Sequence, residues 1–488
     1  MKQSKIYPVA IIGLLLIFTP GCKKDDPIDD PKDEPIEDPA EFEGGIGTQA
    51  DPYLIATPEQ LDDVRNYPDK HFKQIADIDL SGYSSGEGWQ PIGGWEKSFS
   101  GTFDGNSYKI TNLFIYSPYR YDIGLFGNTD NSKIKNVVVV INEIIGMNNV
   151  GGLVGANSDR GTIINCYATG NVAGDHSTGG LVGMNAGNIK DSYASVDVSG
   201  SGSGGLVGLN NDGGYISNSY ASGDVSGYRV GGLIGRNVGG SIINSYSTGD
   251  VSGSDSGGLV GLNSHEGDII NCYATGNVSG SGAGGLVGIN DADIINCYAT
   301  GNVSGNGIGG LVGINGHNIT NSYATGDASG NRNIGGLVGF NTDGGNINSC
   351  YAVGSVSGYE HAGGFIGFNL YGGYITNCYA AGDVSGYSYI GGLAGVNEGD
   401  IINCYATGIV SGDRNLGGLV GVNFRWNHEG NTRYSYYDKE TSGQHDKGKG
   451  IPKTTAEMMR QSTFQTWDFS NIWAIDEGNS YPYFRWKE

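Results

Sequence analysis

Basic residues are scarce in this sequence. It has 28 Lys and Arg against 51 Asp and Glu, which gives a formal net charge of −23 over 488 residues. Proteins that bind nucleic acids neutralise phosphates with Lys and Arg, so this balance argues against a nucleic-acid partner.

Long apolar segments are also missing. The longest run, residues 9–18, is about half the length of the roughly 20 residues that a membrane-spanning helix needs. Because Lys2 and Lys5 precede this short run, we interpret residues 1–21 as a signal peptide.

The segment TPGC at residues 19–22 follows the apolar run and resembles the lipobox of bacterial lipoproteins. The resemblance implies that Cys22 is lipidated and anchors the chain to a membrane. The next residues, KKDD, are similar to the charged stretch after the cysteine in surface-exposed lipoproteins of Bacteroidetes-like bacteria, which implies an outer-membrane location. Ordinary secretion, with Cys22 incidental, is the alternative.

Residues 22–43 cannot form a core. They carry prolines at positions 27, 31, 35 and 39 and ten acidic residues from position 25 onward. Proline restricts the backbone and like charges repel, so the sequence predicts an extended tether between the anchor and the folded part.

Glycine, by contrast, is abundant: 88 of 488 residues, against a usual share of about 7%. It recurs in the motif Gly-Gly-Leu-Val-Gly, whose copies are 25 to 28 residues apart, so the glycine marks a repeat architecture. The second glycine of the motif stands at positions 152, 180, 205, 232, 258, 285, 310, 336, 364, 392 and 418. A degenerate copy of the motif at position 124 brings the number of units to twelve.

Each unit is rich in β-branched residues, glycine and asparagine turns, and shows no helical period. A unit of this size has room for three short strands, and it cannot bury an apolar face without a stacked neighbour. The sequence therefore predicts an all-β fold: a right-handed parallel β-helix of about twelve coils over residues 122–424. Residues 44–121 are predicted to form an N-terminal cap and the first coils, and residues 425–488 a C-terminal cap.

Short helices are predicted in both caps. Thr57 is followed by Pro58 and Gln60, and Thr454 by Glu457, which is the pattern of a capping box at a helix start. Caps are expected because bare ends of a β-helix expose unpaired strand edges.

Alternation along the strand Ile-Asn-Cys-Tyr-Ala-Thr predicts that Ile295, Cys297 and Ala299 face the core, while Asn296 and Tyr298 face outward. A second asparagine closes the motif GGLVGxN in every full unit. We expect these asparagines to form a hydrogen-bonded ladder at a corner, as at Asn290.

The repeats, with Gly152-Leu-Val-Gly155 as one copy, resemble the GLUG-motif proteins, and the resemblance covers residues 44–488. It implies a bacterial β-solenoid exposed outside the cell and often associated with adhesion. The segments around residues 47–55, 76–80 and 99–106 look like the family's amino-terminal part, and those around 437–443 and 473–483 look like its closing part.

The sequence offers little that points to catalysis or a cofactor. Six cysteines precede the repeat tyrosine at a position that other units fill with Ser, so we interpret them as small buried side chains without a metal or disulfide role. Neither His265-Glu266 nor His428-Glu429 is followed by the second histidine of a zinc-protease motif.

Two further roles stay open for the carboxylates at the turns, of which Asp268, Asp293 and Asp400 are examples. Carbohydrate-active β-helices use carboxylates in a cleft. Asparagine replaces these residues in other units, which favours a turn role over catalysis or calcium binding.

One tyrosine per coil is predicted on the outward face, forming a continuous aromatic stripe. The stripe could stack on sugars or bind a protein partner, or its rings could simply cover each other and stiffen the rod. The candidate ligand-binding residues are Tyr167, Tyr193, Tyr220, Tyr246, Tyr273, Tyr298, Tyr323, Tyr351, Tyr379 and Tyr405.

Together these features predict a lipid-anchored cell-surface protein that binds a glycan or an extracellular protein without catalysis, with no cofactor. The alternatives are a polysaccharide-degrading β-helix enzyme and a passive surface stalk.

Overall fold

The chain winds into a parallel β-helix of about 13 turns, with few helical residues. The computed structural model describes residues 41–158, 160–211, 213–342, 344–424, 430–446 and 449–487. The predicted signal peptide, Cys22 and nearly all of the tether 22–43 lie outside the described residues, as does the pair His428-Glu429.

Within the described residues, three parallel sheets run along the helix axis, and each of the twelve repeat units contributes to all three. The first sheet has 15 strands. Its strands are Tyr53–Ile55, His71–Gln74, Thr102–Asp104, Lys133–Lys135, Thr162–Ile164, Asn188–Lys190, Tyr215–Ser217, Ser241–Ile243, Ile269–Ile270, Ile294–Ile295, Asn318–Thr320, Asn346–Asn348, Tyr374–Thr376, Asp400–Ile402 and Asn431–Arg433.

The second sheet bends within most coils, so that a coil supplies one strand beginning at the repeat tyrosine and another beginning at a valine. Its strands are Ile78–Asp79, Lys109–Ile123, Val138–Gly151, Tyr167–Gly179, Tyr193–Ser201, Tyr220–Ala221, Val225–Ser226, Tyr246–Ser247, Val251–Ser252, Tyr273–Ala274, Val278–Ser279, Tyr298–Ala299, Val303–Gly305, Ile308–Gly309, Tyr323–Ala324, Ala328–Gly335, Tyr351–Ala352, Val356–Gly363, Tyr379–Ala380, Val384–Gly391, Tyr405–Ala406, Val410–Ser411, Arg414–Gly417, Tyr436–Asp438 and Ile451–Lys453.

The third sheet has 12 strands, one for each predicted repeat unit. Its strands are Phe126–Thr129, Val154–Asn157, Val182–Asn185, Val207–Asn210, Ile234–Val238, Val260–Ser264, Val287–Asn290, Val312–Asn315, Val338–Asn341, Ile366–Asn369, Ala394–Asn397 and Val420–Asn423. The first sheet extends further towards the N-terminus, because Tyr53–Ile55, His71–Gln74 and Thr102–Asp104 pair in parallel with its later strands.

Identical residues stack on one another through the coils. Tyr273 pairs with Tyr298 and Asn263 with Asn290 in the parallel register. Stacking of this kind buries a continuous core, in which Leu286, Ile294 and Val303 are at most 1% exposed. Each such side chain contributes about 1.5–3 kcal/mol when it is removed from water.

The core prediction is confirmed for Cys297 and Ala299, which are fully buried, but it is wrong for Ile295. Ile294 occupies the core instead, and Ile295 is half-buried on the other face. The reason is Asn296, whose φ of 55° is left-handed and turns the chain between two strands, so that the alternation does not continue through it.

The asparagine ladder is confirmed. Asn290 donates from Nδ2 to Oδ1 of Asn315 at 2.9 Å and accepts from Asn263 at 2.9 Å. Its second amide proton goes to the carbonyl oxygen of Ala292 at 2.8 Å. The same bond joins every successive pair of motif asparagines from Asn157 to Asn423.

The six cysteines of the repeats are free and buried, as predicted. The thiol of Cys297 lies 3.2 Å from the carbonyl oxygen of Ile295, and burial raises the pKa of this thiol well above its usual value. These side chains therefore act as packing groups and not as reactive thiolates.

Helices occur only outside the repeats within the described part of the chain. The first, Pro58–Asp63, begins with the predicted capping box of Thr57 and Gln60 and continues as the 3-10 turn Val64–Asn66. Near the other end, Thr455–Met458 begins with the predicted box of Thr454 and Glu457. The remaining helical segments are Ser81–Tyr83, Lys439–Ser442, Gln461–Thr463 and Arg485–Lys487, and a two-stranded antiparallel sheet joins Trp473–Ala474 to Tyr483–Phe484.

Candidate functional site

The ten candidate tyrosines form one unbroken stack along the second sheet. From Tyr193 to Tyr405, neighbouring ring centroids are 4.7–5.0 Å apart and neighbouring ring planes are within 8° of parallel. At the N-terminal end, Tyr167 is tilted by 31° against Tyr193. The parallel register brings the rings together, because each tyrosine pairs with the tyrosine of the next coil.

Each ring inside this stack has both faces covered by its neighbours, so only ring edges and hydroxyl groups point outward. Burial is the largest cause of the raised pKa of Tyr273 and Tyr298, and the charge of neighbouring phenols adds to it. A sugar that stacks on a tyrosine needs a free ring face. The interior of the stack therefore does not offer the sugar platform that the sequence suggested as one possibility.

Three of the ten tyrosines do not face solvent, contrary to the prediction of an outward stripe. Tyr351, Tyr379 and Tyr405 are 6%, 6% and 3% exposed. The C-terminal segment folds back along the rod and packs on them with Trp473 and Phe484. These three residues are thus part of a second hydrophobic core and are unavailable to an external ligand.

The C-terminal segment contacts the covered tyrosines through tilted aromatic rings, hydroxyl hydrogen bonds and an ammonium group. Phe484 lies 5.5 Å from Tyr379, ring centroid to ring centroid, at 37°. Tyr405 donates its hydroxyl hydrogen to the carbonyl oxygen of Pro482 at 2.5 Å. Lys487 donates from Nζ to the hydroxyl oxygen of Tyr379 at 3.2 Å, and its burial lowers its own pKa.

A groove that the sequence analysis missed runs beside the tyrosine stack on the same sheet. Its volume is about 1030 Å³, and its lining extends through nine coils, from Glu143 to Ser357. Three repeated positions form most of the lining: an exposed Asp or Asn, a buried Val and an exposed Ser, as in Asn277, Val278 and Ser279. The signal in the sequence was the recurrent segment Thr-Gly-Asn/Asp-Val-Ser.

A column of glycines next to the groove allows the coils to approach at this bend. A Cβ on Gly276 would lie 1.9 Å from the carbonyl oxygen of Gly249, and one on Gly301 would lie 1.9 Å from the carbonyl oxygen of Gly276. No side chain larger than hydrogen fits there, so the backbone itself forms the surface beside the Asp and Asn row.

The Asp and Asn row is held in place by the backbone of the following coil. Asp224 accepts from the backbone N–H of Asp250 at 2.9 Å, and Asp250 accepts from that of Asn277 at 2.8 Å. Asn302 and Asp327 continue the pattern. One oxygen of each side chain is thus fixed, which orients the rest of the group along the groove.

The groove is acidic. Its lining includes five carboxylates and no Lys, Arg or His among the described residues. The carboxylates are those of Glu143, Asp197, Asp224, Asp250 and Asp327. Serine hydroxyls on the other side can both donate and accept hydrogen bonds. The groove can therefore accept hydrogen bonds from hydroxyl or ammonium groups, and it repels anions.

The turn carboxylates do not assemble into a further site. Asp293 accepts from Nδ2 of Asn318 at 2.8 Å, and Nδ1 of His317 lies 2.8 Å from the same oxygen. Burial, with the charge of Asp293 next, raises the pKa of Asp268. Among the described residues, no group of three or more His, Cys, Asp or Glu is arranged to hold a metal ion. Within the same residues, none of the helices is long and apolar enough to cross a membrane.

The sequence model of the GLUG motif matches this chain in eight segments. They are residues 147–173, 226–252, 252–279, 279–304, 304–329, 330–357, 358–385 and 386–411. The chain therefore contains GLUG-motif repeats in these segments, as the motif resemblance predicts.

Two proteins of known sequence are similar to parts of the chain. A Gly-rich protein of Evansella cellulosilytica, provisionally named a membrane protein, is 40% identical over 119 residues, which are 24% of this chain and 14% of that protein. Halomucin of Haloquadratum walsbyi is 36% identical over 148 residues, which are 28% of this chain and 2% of halomucin. The chain thus matches only a small part of either relative's length.

Two solved structures align with most of the chain at low similarity. A Bacteroides ovatus protein, provisionally named an immunoglobulin A1 protease, covers 92% of this chain and 96% of its own, with 21% identity and a TM-score of 0.32. An IgA1 protease covers 85% of this chain and 24% of its own, with 14% identity and a TM-score of 0.19. TM-scores this low carry no argument about a shared activity.

Proposed function

We propose that this chain is a non-catalytic binding protein, displayed on the bacterial cell surface, that holds an extended glycan in the acidic groove of the second sheet. The observation that carries the proposal is the groove itself, which presents the same carboxylate or amide and the same hydroxyl in coil after coil.

A polymer suits this groove better than a small molecule. Neighbouring coils are about 4.8 Å apart, so equivalent groups recur at that spacing along the axis. A chain of sugars lying along the groove would make similar hydrogen bonds at successive coils, and many weak contacts in a row add to a useful avidity.

The charge of the groove selects among glycans. Carboxylates such as Asp224 and Asp250 accept hydrogen bonds from sugar hydroxyls, and bonds to a charged acceptor are stronger than neutral ones. The same charges oppose uronic-acid or sulfated polymers. The ligand class is therefore a neutral or amino-sugar polysaccharide.

Surface display rests on the predicted lipid at Cys22 and on the acidic tether 22–43, which would lift the β-helix away from an outer membrane. The membrane name of the Evansella cellulosilytica relative is in line with this. In cells fed a fatty-acid analogue, the Cys22→Ala variant should lose the label that the unaltered chain acquires. Persistent labelling of the variant would contradict the anchor.

A polysaccharide-degrading enzyme is less well supported. Glycosidases place two carboxyl groups on opposite sides of the scissile bond. In this groove the aspartates from Asp197 to Asp327 stand in one row, each with an oxygen bound to backbone, and serines stand across from them. Shortening of a polysaccharide on incubation with the chain would favour the enzyme.

A passive stalk is the second candidate, and the unbroken tyrosine stack favours it, because stacked rings stiffen a rod. The stalk and the glycan-binding protein differ in one measurable property. A stalk has no groove-dependent affinity for any polysaccharide.

The purified full chain should be tested on immobilised mannan (neutral), chitosan (cationic) and alginate (anionic). The paired variant Ser252→Arg/Ser279→Arg fills the groove, while Thr248→Arg/Thr275→Arg places the same charges on exposed residues of the same two coils outside the lining. We expect mannan or chitosan to be retained over alginate, and the groove pair to lose about tenfold in affinity, equal to about 1.4 kcal/mol. Equal loss in both pairs, or no retention of any of the three, would contradict the proposal.

A further inference from the structure

The tyrosine stack is covered at one end by the chain's own C-terminal segment. At the other end its rings are exposed to solvent at their outer side, and we call them the open rings. Residues 464–487 cover Tyr351, Tyr379, Tyr405 and Tyr436 within the same chain. The rings between Tyr193 and Tyr298 continue the same stack with the same spacing, and each of them is partly exposed.

The covered part shows how a polypeptide binds ring edges. Trp473 approaches Tyr405 at 6.0 Å and 52°, and Trp486 approaches Tyr351 at 5.9 Å and 31°. Tilted aromatic pairs of this kind are favourable because a ring edge carries positive charge and a ring face negative charge. The ring edges that sugars cannot stack on are thus suitable partners for Trp and Phe side chains.

Lys487 of the C-terminal segment also contacts the covered tyrosines. Nζ of Lys487 lies 4.0 Å from the ring centroid of Tyr351 and donates a hydrogen bond to the hydroxyl of Tyr379. Attraction between an ammonium group and a tyrosine ring is worth about 0.5–2 kcal/mol.

From this continuity we propose that the open rings, chiefly Tyr220, Tyr246, Tyr273 and Tyr298, are a docking site for an aromatic and lysine-bearing polypeptide segment of a partner protein. The segment would lie along the rod as residues 480–487 do over the covered rings. This site is separate from the glycan groove, so neither depends on the other.

The flanking residues differ between the two parts and set the character of the partner. Val353 and Ala381 stand beside the covered rings of Tyr351 and Tyr379, and Thr407 beside that of Tyr405, whereas Thr248, Thr275 and Thr300 flank the open rings. A segment bound to the open rings therefore meets an uninterrupted row of hydroxyls on that side.

The probe is a fluorescein-labelled synthetic peptide of residues 479–487, titrated into the full chain and followed by anisotropy. We expect saturable binding that Tyr246→Ser/Tyr273→Ser weakens about tenfold and that Tyr246→Phe/Tyr273→Phe largely retains, since the ring edges persist. The groove pair Ser252→Arg/Ser279→Arg should weaken mannan binding and leave peptide binding unchanged. An equal loss of both would show that the peptide occupies the groove and would overturn the separate site. Absence of binding, or binding that the serine variants leave unchanged, would overturn the proposal.

A second measurement uses the unaltered chain, so it does not require any substituted variant to fold. A peptide with a photoreactive phenylalanine at the place of Phe484 should crosslink to coils that contain Tyr220 to Tyr298. Crosslinks confined to the coils of Tyr351 to Tyr405 would mean that the peptide only displaces the chain's own C-terminal segment, and they would overturn the docking site. Displacement of the peptide by mannan would instead identify the rings as part of the glycan site and equally overturn it.

Discussion

The ring of Tyr273 lies 4.7 Å from that of Tyr246 and is parallel to it within 3°. The backbone sets this spacing, because the two residues occupy the same register in neighbouring coils. A row of rings at the strand spacing is therefore a consequence of repeating one residue in a parallel β-helix, and it fixes what the rings can bind: their edges are accessible and their faces are not.

Tyr273→Ser should destabilise the chain moderately. Tyr273 stacks on both Tyr246 and Tyr298, and each aromatic pair is worth about 0.5–1.5 kcal/mol, so we expect a loss of about 1–3 kcal/mol in the free energy of unfolding. Urea unfolding followed by circular dichroism measures the loss. Tyr273→Phe keeps both ring contacts and is the control; an equal loss in both variants would mean that the hydroxyl, and not stacking, stabilises this position.

Asn290→Ala should lower the free energy of unfolding more than a similar substitution on the surface does. The substitution removes a fully enclosed link of the asparagine ladder and leaves the amide of Asn263 and the oxygen of Asn315 without their partner. A buried unsatisfied polar group costs about 1–3 kcal/mol, so the two together predict a loss of about 2–6 kcal/mol. Asn302→Ala, at an exposed position of the groove, is the matched control. Equal urea midpoints for the two variants would contradict the ladder as a source of stability.

Repetition explains how much of this structure the sequence predicts. A residue type that returns in every unit must stack on itself if the units are coils, which is why the twelve repeats, the ladder through Asn290 and the tyrosine row could be anticipated. The capping boxes at Thr57 and Thr454 were predictable for a local reason, since each is complete within four residues.

Features that depend on backbone shape or on contacts of unrepeated segments were not predictable in the same way. The left-handed Asn296 moved Ile295 out of the core, although the alternation of residues placed it inside. The groove arises where the second sheet bends, and periodicity does not reveal a bend. The covering of Tyr405 by Trp473 joins a repeat to a segment outside the repeats, and the sequence shows no pattern that links them.

Gly276→Ala should disrupt the stacking of coils beside the groove. The new Cβ would lie 1.9 Å from the carbonyl oxygen of Gly249, which is backbone and cannot turn aside. Overpacking typically costs about 1–3 kcal/mol, and a contact this close predicts a value at the upper end or beyond. Gly316→Ala is the control, since the nearest atom there is a threonine hydroxyl at 3.3 Å. If both variants unfold at the same thermal midpoint as the unaltered chain, the coils do not approach each other at Gly276 as closely as described.

Alkaline unfolding should be cooperative and should involve the covered tyrosines. Burial raises the pKa of Tyr379 and Tyr405 above the ordinary value of about 10, because the folded chain favours the neutral phenol. The stability that these groups contribute is therefore fully present below about pH 10 and is lost as the pH rises above it, since the unfolded chain then releases protons that the folded chain retains. Phenolate absorbance and circular dichroism, recorded together, should change in one steep transition. Tyr379→Phe removes one of these protons, so its stability should fall less steeply with pH. Gradual ionisation of all tyrosines near pH 10, with the β-sheet signal unchanged, would show that the C-terminal segment does not seal these rings from water.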